Sequence, residues 1–134
     1  GEEEEALKNQ AKLLGIVDRI DFIPSTKDVE YYYQTSSFYC LSSRSEGLPM
    51  VLIEAQAFGL PVLAFDCDTG PSDIIENCIN GYLVEERNTN SLALKLHSFS
   101  RLTEKEYNKF VVNSKYKNKN FYIKNIIEQW KNVL

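Results

Sequence analysis

The sequence predicts an α/β chain: a doubly wound parallel sheet with helices on both faces, closed by a helical C-terminal tail. Three observations predict it. Short apolar runs alternate with helical patterns of about ten residues between "RIDFIP" (19–24) and "NGYLV" (80–84). One of these runs, "PVLAF" (61–65), is apolar without interruption, as a strand covered on both faces is. Beyond Thr89 the pattern is helical alone.

Each element has a local reason. Four glutamates precede Ala6, Leu7, Ala11, Leu13 and Leu14, suiting the positive end of a helix over about 2–14, and Gly15 stops it. "RIDFIP" alternates as a short strand ended by Pro24. "DVEYYYQT" reads as a short helix capped by Asp28, and "SFYCLSS" as a buried strand. Pro49 suits a first helical position, and Met50, Val51, Ile53, Ala55, Ala57 and Phe58 wrap that helix in apolar groups until Gly59, so it is expected to be buried. Gly70 and Pro71 open a further short helix inside "DCDTGPSDII". The tail carries three helical stretches, with Thr103 and Glu106 spaced as a capping box.

At 134 residues and 43% hydrophobic content the chain suits one domain, residues 1–134, with 101–134 as its basic helical tail. It starts at Gly1 and runs directly into a helical pattern, so a fragment is expected, short of a first strand and a preceding domain. No window approaches the roughly 18–20 consecutive apolar residues of a membrane span, and a cytoplasmic location is expected. Cys40, Cys67 and Cys78 are odd in number, lack metal-ligand spacing and sit in or beside apolar runs, which favours reduced thiols acting as small hydrophobes. The net charge of −4 conceals a tail of +5, 8 basic against 3 acidic residues over 101–134. With its interleaved aromatics that tail is a candidate for peripheral contact with a membrane's inner face. Nucleic acid is not an expected partner.

The chemistry concentrates in "SRSEGLPMVLIEAQAFGLPVLAF" (43–65). In doubly wound sheets ligands bind beyond the carboxyl ends of the strands, which places the Ser42–Leu48 loop at the ligand edge. The free N–H groups of Leu48, Met50 and Val51 then point into a cleft with a helix dipole behind them, a phosphate site that Gly47 lets a ligand approach. Glu46 stands at its mouth. Glu54 lies five residues beyond Pro49, about 7 Å along the helix at ~1.5 Å per residue. Two carboxylates flanking an anion site suit the hydroxyls at either end of a nucleotide sugar. Glu54 is expected to be buried, satisfied either by ligand hydroxyls or by an amide or basic partner within the protein.

"EGLPMVLIEAQAFGLPVLA" resembles the E-x7-E segment of the family 4, GT-B-fold glycosyltransferases, and "FDCDTGPSDIIENCINGYLV" resembles the segment that follows it in bacterial members. Residues 1 to about 90 share the resemblance. It implies the Rossmann-like donor-binding C-terminal domain of a retaining transferase, using a nucleotide sugar, in particular a UDP-sugar, with no cofactor and no required metal. The acceptor implied is a glycan or lipid-linked glycan, bound through a separate N-terminal domain, in polysaccharide biosynthesis at the cell envelope. Carried onto matching positions, Glu46 contacts the donor sugar as the catalytic residue, the segment Gly47, Leu48, Pro49, Met50 and Val51 meets the sugar and diphosphate, and Glu54 binds the ribose. Ile23 and Pro24 flank the nucleobase; Gly70, Pro71 and Ser72 line the same cleft. The family's Arg and Lys for the diphosphate match no residue here, so the fragment alone is expected to be inactive.

The same residues bear on three other chemistries and on a non-catalytic role. "DCD" (66–68) matches a three-residue metal signature of other transferases, but a metal needs more oxygen ligands. A glycosidase needs both glutamates flanking one bond, which a recessed Glu54 does not give. His97, the only histidine, is remote in sequence from the strand-end loops, which disfavours a Ser or Cys nucleophile. A non-catalytic nucleotide- or protein-binding module is the alternative of a different class, and it would leave no apolar docking face uncovered around Trp130 and the Tyr-rich tail.

Overall fold

A computed structural model of the chain describes residues 2–85 and 87–133. Its elements are α1 (Glu4–Leu13), α2 (Val29–Thr35), β1 (Tyr39–Leu41), α3 (Met50–Ala57), β2 (Val62–Asp66), α4 (Pro71–Ile74), β3 (Gly81–Glu85), α5 (Thr89–Phe99), α6 (Glu104–Asn118) and α7 (Ile123–Lys131). The strands pair in the order β1-β2-β3, all parallel, with Tyr39 opposite Val62 and Val62 opposite Gly81. Parallel neighbours need crossovers, and α3 and α4 supply them.

Alternation along β2 builds two cores. Val62 and Ala64 face one way, where Leu52, Ile53 and Ala55 of α3, Ile74 of α4 and Tyr33 of α2 cover them. Leu63 and Phe65 face the other way, against Val84, Phe99 of α5 and Phe110 of α6. The α/β, doubly wound, Rossmann-like class is therefore the fold observed: β2 is the central strand and helices cover both of its faces. The capping box expected at the tail is formed: Thr103 Oγ1 accepts from the Glu106 N–H at 3.3 Å, and the Thr103 N–H donates to the Glu106 carboxylate at 2.8 Å.

Several local expectations are corrected. Residues 20–24 form no strand; Ile20 and Ile23 are exposed and the segment pairs with no strand among the described residues. Alternation specifies which side chains share a face, but a ladder also needs a neighbour's N–H and C=O groups. The strand β1 is three residues long and half-buried, not buried. Asp28 occupies the N-cap of α2 without a capping side-chain bond. Pro49 is the N-cap of α3 rather than its first helical residue, because its ψ of 92° is not helical. Cys40 is half-buried and Cys67 buried, but Cys78 is exposed, in a turn with φ of 68°.

The helix α3 is also less enclosed than its composition suggests. Leu52, Ile53, Ala55 and Gln56 are buried, whereas Met50 and Phe58 are exposed. Glu54 itself is exposed. The buried polar side chain of this helix is instead Gln56, fully enclosed with neither amide atom reaching a protein partner.

Candidate functional site

The strand-end loop is built as the topology requires. It leaves β1 after Leu41 and enters α3 at Met50, next to the carboxyl end of β2. The N–H groups of Met50 and Val51 lie ahead of the Leu52 N–H, which donates to the Pro49 carbonyl at 3.0 Å. They therefore form the open end of the helix, as donors without an intrahelical acceptor.

A second loop holds this one in place. Thr69, between β2 and α4, donates its hydroxyl to the Glu46 carbonyl at 2.6 Å. Beside it Gly70 has φ of 96°, and a Cβ placed there would lie 2.1 Å from the Gly47 carbonyl oxygen and 2.7 Å from Pro49 Cδ. Only glycine fits so close a backbone approach. At Gly47, in contrast, a Cβ would meet no protein atom within 4 Å. The Gly70-Pro71-Ser72 turn is thus brought to the Glu46-Gly47 loop; Pro71 is buried and Ser72 exposed.

Glu46 is half-buried and Glu54 exposed, so burial does not explain Glu54. It has a protein partner: the Tyr33 hydroxyl donates to Glu54 Oε2 at 3.0 Å. Tyr33 is 6% exposed and stacks on Phe58, ring centroids 5.5 Å apart. Burial pushes its phenol well above the usual tyrosine range, and the Glu54 carboxylate adds to the shift. The Tyr39 phenol is raised first by burial, then by Cys40, Glu54 and Glu46 in turn.

Ile23 and Pro24 are exposed on the irregular segment, and no hydrogen bond or ring contact ties them to Glu46 or Glu54. Asp66 is the exposed last residue of β2 and Asp68 is exposed in the loop beyond; the described residues contain no group of three His, Cys, Asp or Glu able to hold a metal. His97 is exposed on α5. A groove of about 790 Å³ lies along α6, lined by side chains of that one helix, all exposed but the half-buried Asn113. Sequence reasoning missed Tyr33, Tyr39 and Thr69. The three consecutive tyrosines of α2 were a signal only in part, since periodicity did not say which one turns inward.

Comparison with known proteins gives the family. The chain belongs to the family described as glycosyl transferases group 1, which matches residues 1–117. It is 46% identical over 134 residues to an uncharacterized glycosyltransferase of Haemophilus influenzae, covering all of this chain and 38% of that protein. It is 37% identical over 97 residues to the amylovoran biosynthesis glycosyltransferase AmsD of Erwinia amylovora, covering 72% of this chain and 27% of that one. Among solved structures, the pneumococcal O-GlcNAc transferase GtfA in complex with UDP and GlcNAc superposes with a TM-score of 0.79 at 26% identity, over 98% of this chain and 27% of that one. The chain thus spans well under half the length of these relatives.

Proposed function

We propose that this chain is the donor-binding C-terminal domain of a retaining glycosyltransferase that moves a sugar from a UDP-sugar to a glycan or lipid-linked acceptor in polysaccharide biosynthesis. One observation carries the reading: along the chain, the open end of α3 lies between the strand-end loop that carries Glu46 and the helical turn that carries Glu54. That order, carboxylate, amide donors, carboxylate, matches sugar hydroxyls, diphosphate and ribose hydroxyls in turn. Glu46 binds the donor sugar at the reacting end, the backbone from Gly47 to Val51 meets the diphosphate, and Glu54 accepts from the ribose. The open space beside Gly47 suits close approach of the diphosphate. Ile23 and Pro24 flank the base, and the Gly70-Pro71-Ser72 turn closes the cleft.

The complex of GtfA with UDP supports the nucleotide, and the name of AmsD supports the pathway class. No metal takes part in this reading, and the acceptor is held by chain outside these residues, so the fragment alone does not turn over. Residues 1–134 make one domain, with 101–134 as its basic tail. No helix of the described residues is long and apolar enough to cross a membrane. As part of the proposal, the protein works at the cytoplasmic face of the membrane, with the basic tail over 101–134 as its contact. Ile123, Trp130 and Val133 are exposed, the apolar face that a self-sufficient binding module would cover.

The test is calorimetric titration of the full-length protein with UDP and a panel of UDP-sugars. Glu54→Gln weakens both kinds of ligand, whereas Glu46→Gln weakens only the sugar-bearing ones. Chelator leaves both affinities unchanged. Equal losses for UDP and UDP-sugar at Glu46, or no binding of any nucleoside diphosphate by the wild type, overturns the proposal.

A further inference from the structure

Glu54 is an exposed carboxylate on a helix surface, and a free glutamate there samples several rotamers, worth up to ~2 kcal/mol of entropy when fixed. A ligand contact made by such a side chain loses that entropy on binding. A basic partner would fix it but would also spend its charge. The structure provides a different constraint. The Tyr33 hydroxyl donates to Oε2 at 3.0 Å, and the Tyr33 ring is itself packed in place, 6% exposed, stacked on Phe58 and 6.0 Å from the Tyr39 ring. A buried tyrosine hydroxyl needs an acceptor, and a packed ring makes that hydroxyl a fixed point.

We propose that Tyr33 is the positioning residue for the donor ribose: its hydroxyl holds one oxygen of Glu54 so that the carboxylate is preorganised to accept hydrogen bonds from the vicinal ribose hydroxyls. The inference rests on the reading that Glu54 binds ribose, and extends it to a residue that touches no ligand. A carboxylate has about four acceptor positions, and one donor on Oε2 leaves enough for both hydroxyls of the diol. The hydrogen bond also leaves the negative charge in place. Because burial and Glu54 both disfavour the phenolate, Tyr33 remains a donor throughout the neutral range.

The experiment is a cycle of calorimetric titrations on the full-length protein with two probes, UDP and 2′,3′-dideoxyuridine diphosphate. Wild type, Tyr33→Phe, Glu54→Gln and the double variant are compared, with melting curves to verify folding. Tyr33→Phe keeps the ring and removes only the hydroxyl; it weakens UDP by ~3- to 10-fold, the scale of one lost hydrogen bond, and leaves the dideoxy probe within about 2-fold. In the Glu54→Gln background the same change has no further effect. If Tyr33→Phe weakens both probes alike, or neither, Tyr33 has a packing role only and the proposal is wrong. If Glu54→Gln keeps the wild-type preference for UDP over the dideoxy probe, the ribose reading itself fails, a distinct outcome. Should Tyr33→Phe not fold, Phe58→Leu decides: it removes the ring stacked on Tyr33 and leaves Glu54 intact, so a loosened Tyr33 hydroxyl reproduces the ribose-specific loss, and an unchanged preference overturns the proposal.

Discussion

Replacing Gly70 with alanine tests whether the second loop sets the position of the first. The new Cβ would stand 2.1 Å from the Gly47 carbonyl oxygen, whereas a carbon–oxygen contact relaxes at about 3.3 Å, so one backbone must move by roughly 1.2 Å. Neither partner is a flexible side-chain end: the obstacles are the Gly47 carbonyl and the Pro49 ring. The residue also keeps a φ of 96°, which costs a non-glycine residue about 1–3 kcal/mol, and overpacking adds about 1–3 kcal/mol. A loss near 4 kcal/mol corresponds to a fall of ~15 °C in Tm for a domain of this size. A displacement of this order in the Glu46 loop also costs on the order of 10²-fold in transfer rate. Gly47→Ala is the matched control, since its Cβ meets no protein atom within 4 Å: it keeps the wild-type Tm and loses donor affinity. Scanning calorimetry and UDP-sugar titration of the full-length protein measure both effects. A Gly70→Ala protein that melts with the wild type and binds the donor unimpaired would refute the coupling.

Two further outcomes concern the scaffold. Asn80 is fully buried; it accepts from the Glu76 N–H at 2.8 Å and donates to the Ile74 carbonyl at 3.0 Å, so Asn80→Ala leaves both groups unpaired and costs about 2–4 kcal/mol by urea unfolding. Glu106 is held below the usual carboxylate range by the Thr103 hydroxyl first and the Thr103 N–H second. Because the folded value is the lower one, that contribution is present above the ordinary carboxylate range and lost as pH falls through the folded value. Thr103→Ala therefore lowers Tm at pH 7, and in a pH series the difference from wild type shrinks under acid conditions.

Much of this architecture was legible in the residues because local signals agreed with the global fold. "PVLAF" is a central strand because nothing polar interrupts it, and Val62 to Phe65 are all buried. The tail's capping box and the helix stop at Gly59 are likewise local events, settled by side chains within a few positions. Two of the failures share a cause. "RIDFIP" has a strand's alternation but finds no ladder partner, and Glu54 sits in an apolar sequence but on the open side of its helix. Both depend on what lies across space.

The sequence by itself determined the fold class, the placement of Glu46 in a strand-end loop and of Glu54 one turn and more into the following helix, and the family. Period and spacing suffice for those, since they are properties of consecutive residues. Only the tertiary structure decided that Tyr33 reaches Glu54 from 21 positions away and that Thr69 and Gly70 close on Glu46 and Gly47. Contacts between separate elements are fixed by how α2 and the β2–α4 loop pack on the sheet, and no pattern within either segment encodes that packing.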